Sequence, residues 1–184
     1  MSELDLDSSL SLRLLFQVAR RRVAIGFIVA AAAFVFARPS WRSLAVGVPI
    51  AMVGEGIRVW AAGHLVKGRE LTTSGPYAIT RHPLYVGSIL IGIGFVVAAA
   101  SLLVAIVVLS YLVTMITVAI ILEEATLRAA FGDRHVRYIT GISAPTPRHF
   151  SFKRVLNNRE HQALIGMVLS VTVLIFLVWL QSTV

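Results

Sequence analysis

Residues 83–122 read PLYVGSILIGIGFVVAAASLLVAIVVLSYLVTMITVAIIL and contain no charged residue. At a helical rise of about 1.5 Å per residue, these 40 residues would extend about 60 Å, which is twice the roughly 30 Å hydrocarbon core of a bilayer. The stretch must therefore cross a membrane twice, as a tight helical hairpin. We expect its turn near Ala100 and Ser101.

The composition of the chain places it among membrane proteins. Of its 184 residues, 57% are hydrophobic and 14% are charged, whereas soluble domains average about 25% charged residues. The absence of cysteine excludes disulfides, thiolate nucleophiles and cysteine metal sites. The net charge of +8 fits anionic lipid headgroups, and no basic patch is interleaved with aromatic residues as single-strand binders require. We therefore expect the lipid bilayer as a partner, and no nucleic acid.

Three further apolar stretches flank the hairpin. Residues 43–66 and 163–180 are long enough to span a bilayer, and residues 23–37 are shorter but are flanked by arginines that can snorkel to the interface. Residues 1–22 resemble an interfacial helix; a cleaved signal peptide is the alternative, although the cationic block at residues 20–22 comes late for one. The sequence predicts an all-α, polytopic membrane protein of about five transmembrane helices, folded as a single domain over its whole length.

The distribution of cations predicts the orientation of these spans. If the amino terminus is cytoplasmic, 14 of the 17 Lys and Arg residues lie on that side, Arg38 and Arg42 lie on the other side, and Arg58 lies within a span. Short cytoplasmic loops retain Lys and Arg. The polar loops, and any cofactor site on them, are therefore expected to face the cytoplasm.

The start of the third span gathers polar groups at the membrane surface. Proline favours the first position of a helix and the residue before it is pushed out of the helical region, so we expect His82 to cap a helix that begins at Pro83. Free backbone N–H groups, the Arg81 guanidinium and the His82 imidazole would then form a receptor for a carboxylate or a phosphate, with Tyr85 as a further donor. The alternative is that Arg81 binds headgroups and His82 is a passive cap.

The hairpin would return two acidic residues to the same membrane face. Glu123 and Glu124 follow the uncharged stretch directly, so they should lie near His82. A ligand with both an ammonium and a carboxylate group would be matched at each end. Because adjacent helical residues point about 100° apart, we expect Glu124 to pair with Arg128 and Glu123 to face the pocket.

Two ionisable residues interrupt the second span. Glu55 and Arg58 are costly inside a membrane and tend to pair or to serve function. At a spacing of three residues they can neutralise each other, or they can line a substrate cavity. Gly54, Gly56 and Gly63 on the same stretch permit close contact between helices.

The chain carries four short motifs at characteristic separations: Gly-Pro-Tyr at 75–77, Arg-His-Pro-Leu-Tyr at 81–85, Glu-Glu-Ala-Thr-Leu at 123–127 and Phe-Gly-Asp at 131–133. Together they resemble the isoprenylcysteine carboxyl methyltransferase family, which is related to the membrane phospholipid N-methyltransferases. The resemblance covers roughly residues 57–147 and leaves the last span outside the shared core. It implies a helical membrane enzyme that binds S-adenosylmethionine at its cytosolic end and receives a lipid-like substrate from the bilayer.

The resemblance also implies roles for individual residues. The cofactor contacts that it implies are Leu71, Thr72, Gly75, Tyr77, His82 and Tyr85, with one or both of Glu123 and Glu124. Arg81 would hold a substrate carboxylate. The candidate catalytic residues are Arg81 together with Glu55 and Arg58, the ionisable pair of the second span, and no metal ion is expected. The sequence departs from the common pattern at Arg69, where many members have histidine, and at Thr72, where valine is usual. Those departures leave backbone contacts from the loop intact but put its side-chain contacts in question.

The expected reaction is methyl transfer, with a carboxylate acceptor favoured over an amine. A sulfonium methyl group is already activated, so methylating a carboxylate requires alignment and exclusion of water but no strong base. An amine would first have to lose a proton to Glu55, His82 or Glu123. A nicotinamide-dependent membrane sterol reductase and a non-enzymatic lipid-binding protein remain alternatives, and the sequence does not predict an oligomeric state.

Overall fold

The computed structural model describes residues 10–66, 72–132 and 148–183, and within them the fold is entirely helical. The described residues form six α-helices and one short 3₁₀ helix at Gly75–Ala78. The α-helices are α1 (Leu10–Phe36), α2 (Trp41–His64), α3 (Pro83–Ala99), α4 (Leu102–Phe131), α5 (Phe152–Asn157) and α6 (Glu160–Ser182). The predicted all-α fold is confirmed, while the prediction of one domain over the whole chain stays a prediction.

Three of these helices, α2, α4 and α6, are long and apolar enough to cross a membrane. Helix α3, with 17 residues, is a shorter apolar helix. The chain is therefore a polytopic membrane protein, although length and composition single out fewer spans than the five predicted.

The first helix differs from the prediction of an interfacial helix followed by a separate span. It runs without interruption over Leu10–Phe36, because nothing in that stretch breaks a helix before the Arg38-Pro39 step, where proline disfavours helical backbone in the preceding residue. The backbone N–H of Arg38 then donates to the carbonyl of Ala99 at 2.8 Å. This bond ties the end of α1 to the end of α3.

The hairpin between α3 and α4 turns where the sequence predicts. Ala100 closes α3 in the left-handed region, with φ of 48°, and Ser101 caps α4 by accepting from the N–H of Val104. A two-residue turn leaves the helices antiparallel. The first residues of α3 and the last turns of α4 therefore lie at the same end of the bundle.

Helices α2 and α3 pack at backbone distance along a seam of glycines. A Cβ added to Gly54 would lie 2.6 Å from the carbonyl oxygen of Gly87, and one added to Gly94 would lie 2.5 Å from the backbone nitrogen of Ala51. The predicted packing role of Gly54 is confirmed. Within the described parts of the chain, Gly56 has nothing within 4 Å of its Cβ position, so no close helix contact is seen there.

The segment from Ser151 to Asn158 forms hydrogen bonds with the end of α2. Ser151 N–H and Arg154 Nε both donate to the carbonyl of Gly63, at 3.1 and 2.6 Å. The Asn158 amide donates to the carbonyls of Ala62 and Leu65, at 2.9 and 3.0 Å. Carbonyls that the last turn of a helix leaves without partners are thus satisfied, and α6 starts against α2.

Candidate active site

His82 stands at the entrance to α3, as the sequence predicts. It is the N-cap residue and Pro83 occupies the first turn. Its carbonyl accepts from the N–H of Tyr85 at 3.0 Å, and the rings of His82 and Tyr85 lie 5.6 Å apart. Arg81 is exposed beside it at the same end of the helix.

Both glutamates at the end of α4 approach the His82 imidazole. Glu123 Oε2 lies 3.8 Å from Nδ1, and Glu124 Oε1 lies 3.6 Å from Nε2. The expectation that Glu124 pairs with Arg128 is therefore wrong, because Glu124 reaches the imidazole instead. The ring lies between the two side chains, so each nitrogen faces a different carboxylate although the side chains diverge from the helix.

These carboxylates set the protonation of the imidazole. The interaction with Glu123 raises the pKa of His82 above its ordinary value of 6.5, partial burial opposes the shift, and Glu124 adds to it. The two carboxylates thus favour the protonated form of the imidazole, and the cluster offers groups complementary to both charges of a zwitterion.

Raising the pH is expected to weaken this junction between α3 and α4. Because the folded-state pKa of His82 lies above 6.5, its stabilising contribution is fully present below pH 6.5 and is lost as the pH rises through the raised value. The Tm of detergent-solubilised protein should fall over that range. The fall should be smaller in the Glu123→Gln/Glu124→Gln variant; an unchanged pH dependence there would contradict the assignment, since the other histidines are common to both proteins.

The loop before α3 presents buried hydroxyl groups. Thr72, Ser74 and Tyr77 are buried, and within the described residues neither Thr72 Oγ1 nor Ser74 Oγ has a hydrogen-bond partner. Gly75 has φ of 59°, and a Cβ there would lie 2.7 Å from the ring of His64, so glycine is required. Leu71 and Arg69 lie outside the described residues.

A second polar cluster lies within the bundle. Arg58 donates from Nη2 and Nε to Glu160 Oε2, at 2.7 and 3.1 Å, and from Nη1 to Ser88 Oγ. Glu55 Oε2 is 3.9 Å from Arg58 Nε, so the predicted approach is present but weak. Glu160 and Ser88 are not among the residues that the sequence predicts for the site. The acidic residue at the start of the last helix, opposite an arginine inside a span, was the available signal for Glu160.

Glu55 is the least satisfied group of this cluster. The residue is only 4% exposed, and within the described parts of the chain neither carboxylate oxygen has a hydrogen-bond partner. With Arg58 held chiefly by Glu160, the cluster has two acids and one base. Glu55 can therefore still bind a proton or accept a hydrogen bond from a ligand.

An apolar cavity of 360 Å³ begins at this cluster. Five helices, α1, α2, α3, α4 and α6, contribute to its wall, and Arg58 and Ser88 lie at one end. Its other end is bounded by Phe34, Phe95 and Leu174. The volume falls within the range of about 300–1,000 Å³ that ligand pockets occupy.

The structure thus sorts the predicted residues into three groups. At the end of the bundle lie His82, Tyr85, Glu123 and Glu124. The loop at the end of α2 contains Thr72, Gly75 and Tyr77. Within the bundle, Glu55 and Arg58 lie with Ser88. Ser88 is six residues beyond His82, about 9 Å along α3. Among the described residues, no group of three His, Asp or Glu is placed to hold a metal ion.

The chain is similar to a known protein family and to a curated protein. The model of the family described as phospholipid methyltransferase matches residues 22–134. The chain is 34% identical over 122 residues to the cobalt-zinc-cadmium resistance protein CzcN of Cupriavidus metallidurans, a match that covers 61% of this chain and 55% of that protein. The chain thus spans about half the length of this curated relative. No solved structure matches the chain.

Proposed function

Because the chain belongs to the phospholipid methyltransferase family, we propose that it transfers a methyl group from S-adenosylmethionine to a lipid-like acceptor within the membrane. One observation carries the proposal: the imidazole of His82 lies between the carboxylates of Glu123 and Glu124, at the N-terminus of α3. This places positive and negative groups side by side at the membrane surface. A sulfonium compound with an amino acid moiety is complementary to such a site.

The described residues fit that cofactor. The carboxylates of Glu123 and Glu124 suit its cationic groups, and the protonated imidazole of His82 at the N-terminus of α3 suits its carboxylate. The buried hydroxyls of Thr72 and Ser74, which have no partner among the described residues, suit further polar atoms. Tyr77 and Leu71 remain proposed contacts from the same loop.

The residues of the chain need only position the reactants. S-adenosylmethionine supplies an already activated methyl group, so binding, alignment and exclusion of water account for the required catalysis. His82 and the two glutamates would bind and orient the donor. Tyr85 lies in the first turn of α3 and its ring packs against that of His82. It would limit the approach of water from the interior of the bundle.

A carboxylate acceptor is the first candidate. Arg81 is exposed beside His82 at the helix N-terminus, where a guanidinium can bind a carboxylate in bidentate geometry. The carboxylate oxygen is itself the nucleophile and needs no base. The cation distribution along the sequence supports a cytoplasmic position for this end of the bundle.

An amine acceptor is the second candidate, and Glu55 favours it. An ammonium group must lose a proton before its nitrogen can accept a methyl group. Glu55 Oε1 and Oε2 are buried and have no hydrogen-bond partner among the described residues, so the carboxylate can accept that proton. Arg58, already neutralised by Glu160 at 2.7 Å, is a weaker receptor for an anion.

Ligand binding tests the proposed cofactor directly. We expect detergent-purified protein to bind S-adenosylhomocysteine in calorimetry and not to bind reduced nicotinamide adenine dinucleotide phosphate. Binding should be weakened in His82→Ala and in Glu123→Ala. Binding of the nicotinamide nucleotide alone would replace the proposal with the reductase hypothesis, and binding of neither would favour a non-enzymatic lipid-binding protein.

The acceptor class requires a second measurement. Purified protein would be incubated with a lipid extract and a donor labelled in its methyl group. A labelled product that is cleaved by mild base indicates a carboxyl ester, whereas a base-stable product indicates an N-methyl group. Glu55→Gln should abolish formation of the second product and leave the first largely intact.

A further inference from the structure

We propose that the apolar cavity is the binding site for a single hydrocarbon chain of an amphiphile, and that helix α6 limits the length of chain that can bind. The proposal deepens the proposed function, since the amphiphile would be its lipid-like acceptor. Its distinctive element is α6, which begins at Glu160 and lies wholly beyond the matched residues 22–134.

The wall of the cavity fits a hydrocarbon chain and little else. Only four of its residues have polar side chains: Arg58, Ser88, Tyr111 and Ser170. The hydroxyl groups of Tyr111 and Ser170 are used within the protein, donating to the carbonyls of Arg22 and Gly166, each at 2.8 Å. Ser88 Oγ likewise donates to the carbonyl of Leu84 at 2.9 Å and accepts from Arg58 Nη1. Polar contact with a ligand is thus confined to the Arg58 end of the described wall, and the rest of that wall offers only van der Waals contact.

The depth of the cavity suits one extended chain. Arg58 and Gly47 both line it on α2, and they are separated by about 16 Å of helix. The wall at Gly47, Ala51 and Gly94 is the seam where the backbones of α2 and α3 meet. A headgroup near Arg58 would place the chain between α1, α4 and α6, with its end towards Leu174, which is almost fully buried.

Helix α6 is fixed in place by its first residue. Glu160 is only 5% exposed, and its carboxylate accepts from two nitrogens of Arg58. This ion pair holds α6 against α2 at the polar end of the cavity. Glu160 is therefore a positioning residue for the wall as well as for the guanidinium.

Gly166 supplies the site at which the chain can be limited. It lines the cavity about 9 Å beyond Glu160 along α6. A Cβ added at Gly166 would have nothing within 4 Å among the described residues, so the backbone tolerates a side chain at this position in the cavity wall. Gly56 on α2 also has nothing within 4 Å but does not line the cavity, which makes it the matched control.

The test is photolabelling of the wild-type protein, Gly166→Phe and Gly56→Phe in lipid nanodiscs. The probes are a fatty acid and a fatty amine of equal length, each with a diazirine at the chain end, and a shorter pair. We expect saturable labelling of the cavity face of α6 or α1 in the wild-type protein and in Gly56→Phe. In Gly166→Phe, excluding two methylene groups from the cavity should lower affinity for the long probes on the order of tenfold, with a smaller effect on the short ones.

The remaining outcomes are also decisive. Labelling that is equal in all three proteins, or spread over every lipid-facing surface, would overturn the proposal. If Gly166→Phe does not give monodisperse protein, Gly166→Leu carries the same expectation with a smaller effect. Binding of S-adenosylhomocysteine is measured on the same samples: its absence with labelling intact would refute the proposed function and leave the cavity assignment standing, whereas its presence without labelling would refute only the cavity.

Discussion

Replacing Arg58 by methionine is expected to lower the free energy of unfolding by about 3 kcal/mol, because removing one partner of a buried ion pair leaves the other charge uncompensated. Glu160 would lose the guanidinium that donates to it at 2.7 and 3.1 Å. Glu55 would lose its nearest cation, at 3.9 Å. Titration with sodium dodecyl sulfate in mixed micelles, followed by circular dichroism, measures the change.

The double variant Arg58→Met/Glu160→Met separates a structural pair from a general packing defect. Replacing both partners by apolar residues removes the isolated charge, so the double variant should be more stable than Arg58→Met alone. Arg42→Met, at an exposed position on α2, should change stability by no more than about 0.5 kcal/mol. Additive losses in the double variant would show that the two side chains are not coupled.

Removing both charges at the end of α4 is expected to weaken cofactor binding on the order of 100-fold. Glu123→Gln/Glu124→Gln retains the shape of both side chains but deletes the carboxylates at 3.8 and 3.6 Å from the His82 imidazole. A hydrogen bond to a charged group contributes about 1.5–3 kcal/mol. Losing two such bonds, each at the lower end of this range, weakens binding on the order of 100-fold. Calorimetry with S-adenosylhomocysteine measures it.

The single variants and a neighbouring residue provide the controls. Glu123→Gln and Glu124→Gln should each give an intermediate affinity, since each carboxylate faces a different nitrogen of the same ring. Arg128→Gln, exposed one turn further along α4, should bind as the wild-type protein does. Equal loss in Arg128→Gln would mean that binding responds to the general field at this end of the bundle and not to the carboxylates.

Local signals in the sequence predicted that His82, Glu123 and Glu124 lie close together. Pro83 marks the start of α3, and the length of the uncharged stretch requires a return crossing, so the approach of residues 123 and 124 to His82 could be predicted. Which imidazole nitrogen each glutamate faces could not be predicted. It depends on where the imidazole lies between two side chains, and helical periodicity does not contain that information.

Hydrophobic length and proline position act locally along the chain, so they suffice to predict the helical class, the hairpin turn at Ala100 and Ser101, and the end of the bundle at which the polar residues gather. The partner of Arg58 depends instead on the packing of distant helices. Glu160 lies 102 positions away, and an ion pair between helices depends on how α6 packs against α2. The same packing creates the cavity, since its wall is assembled from five helices and no single segment encodes the space between them.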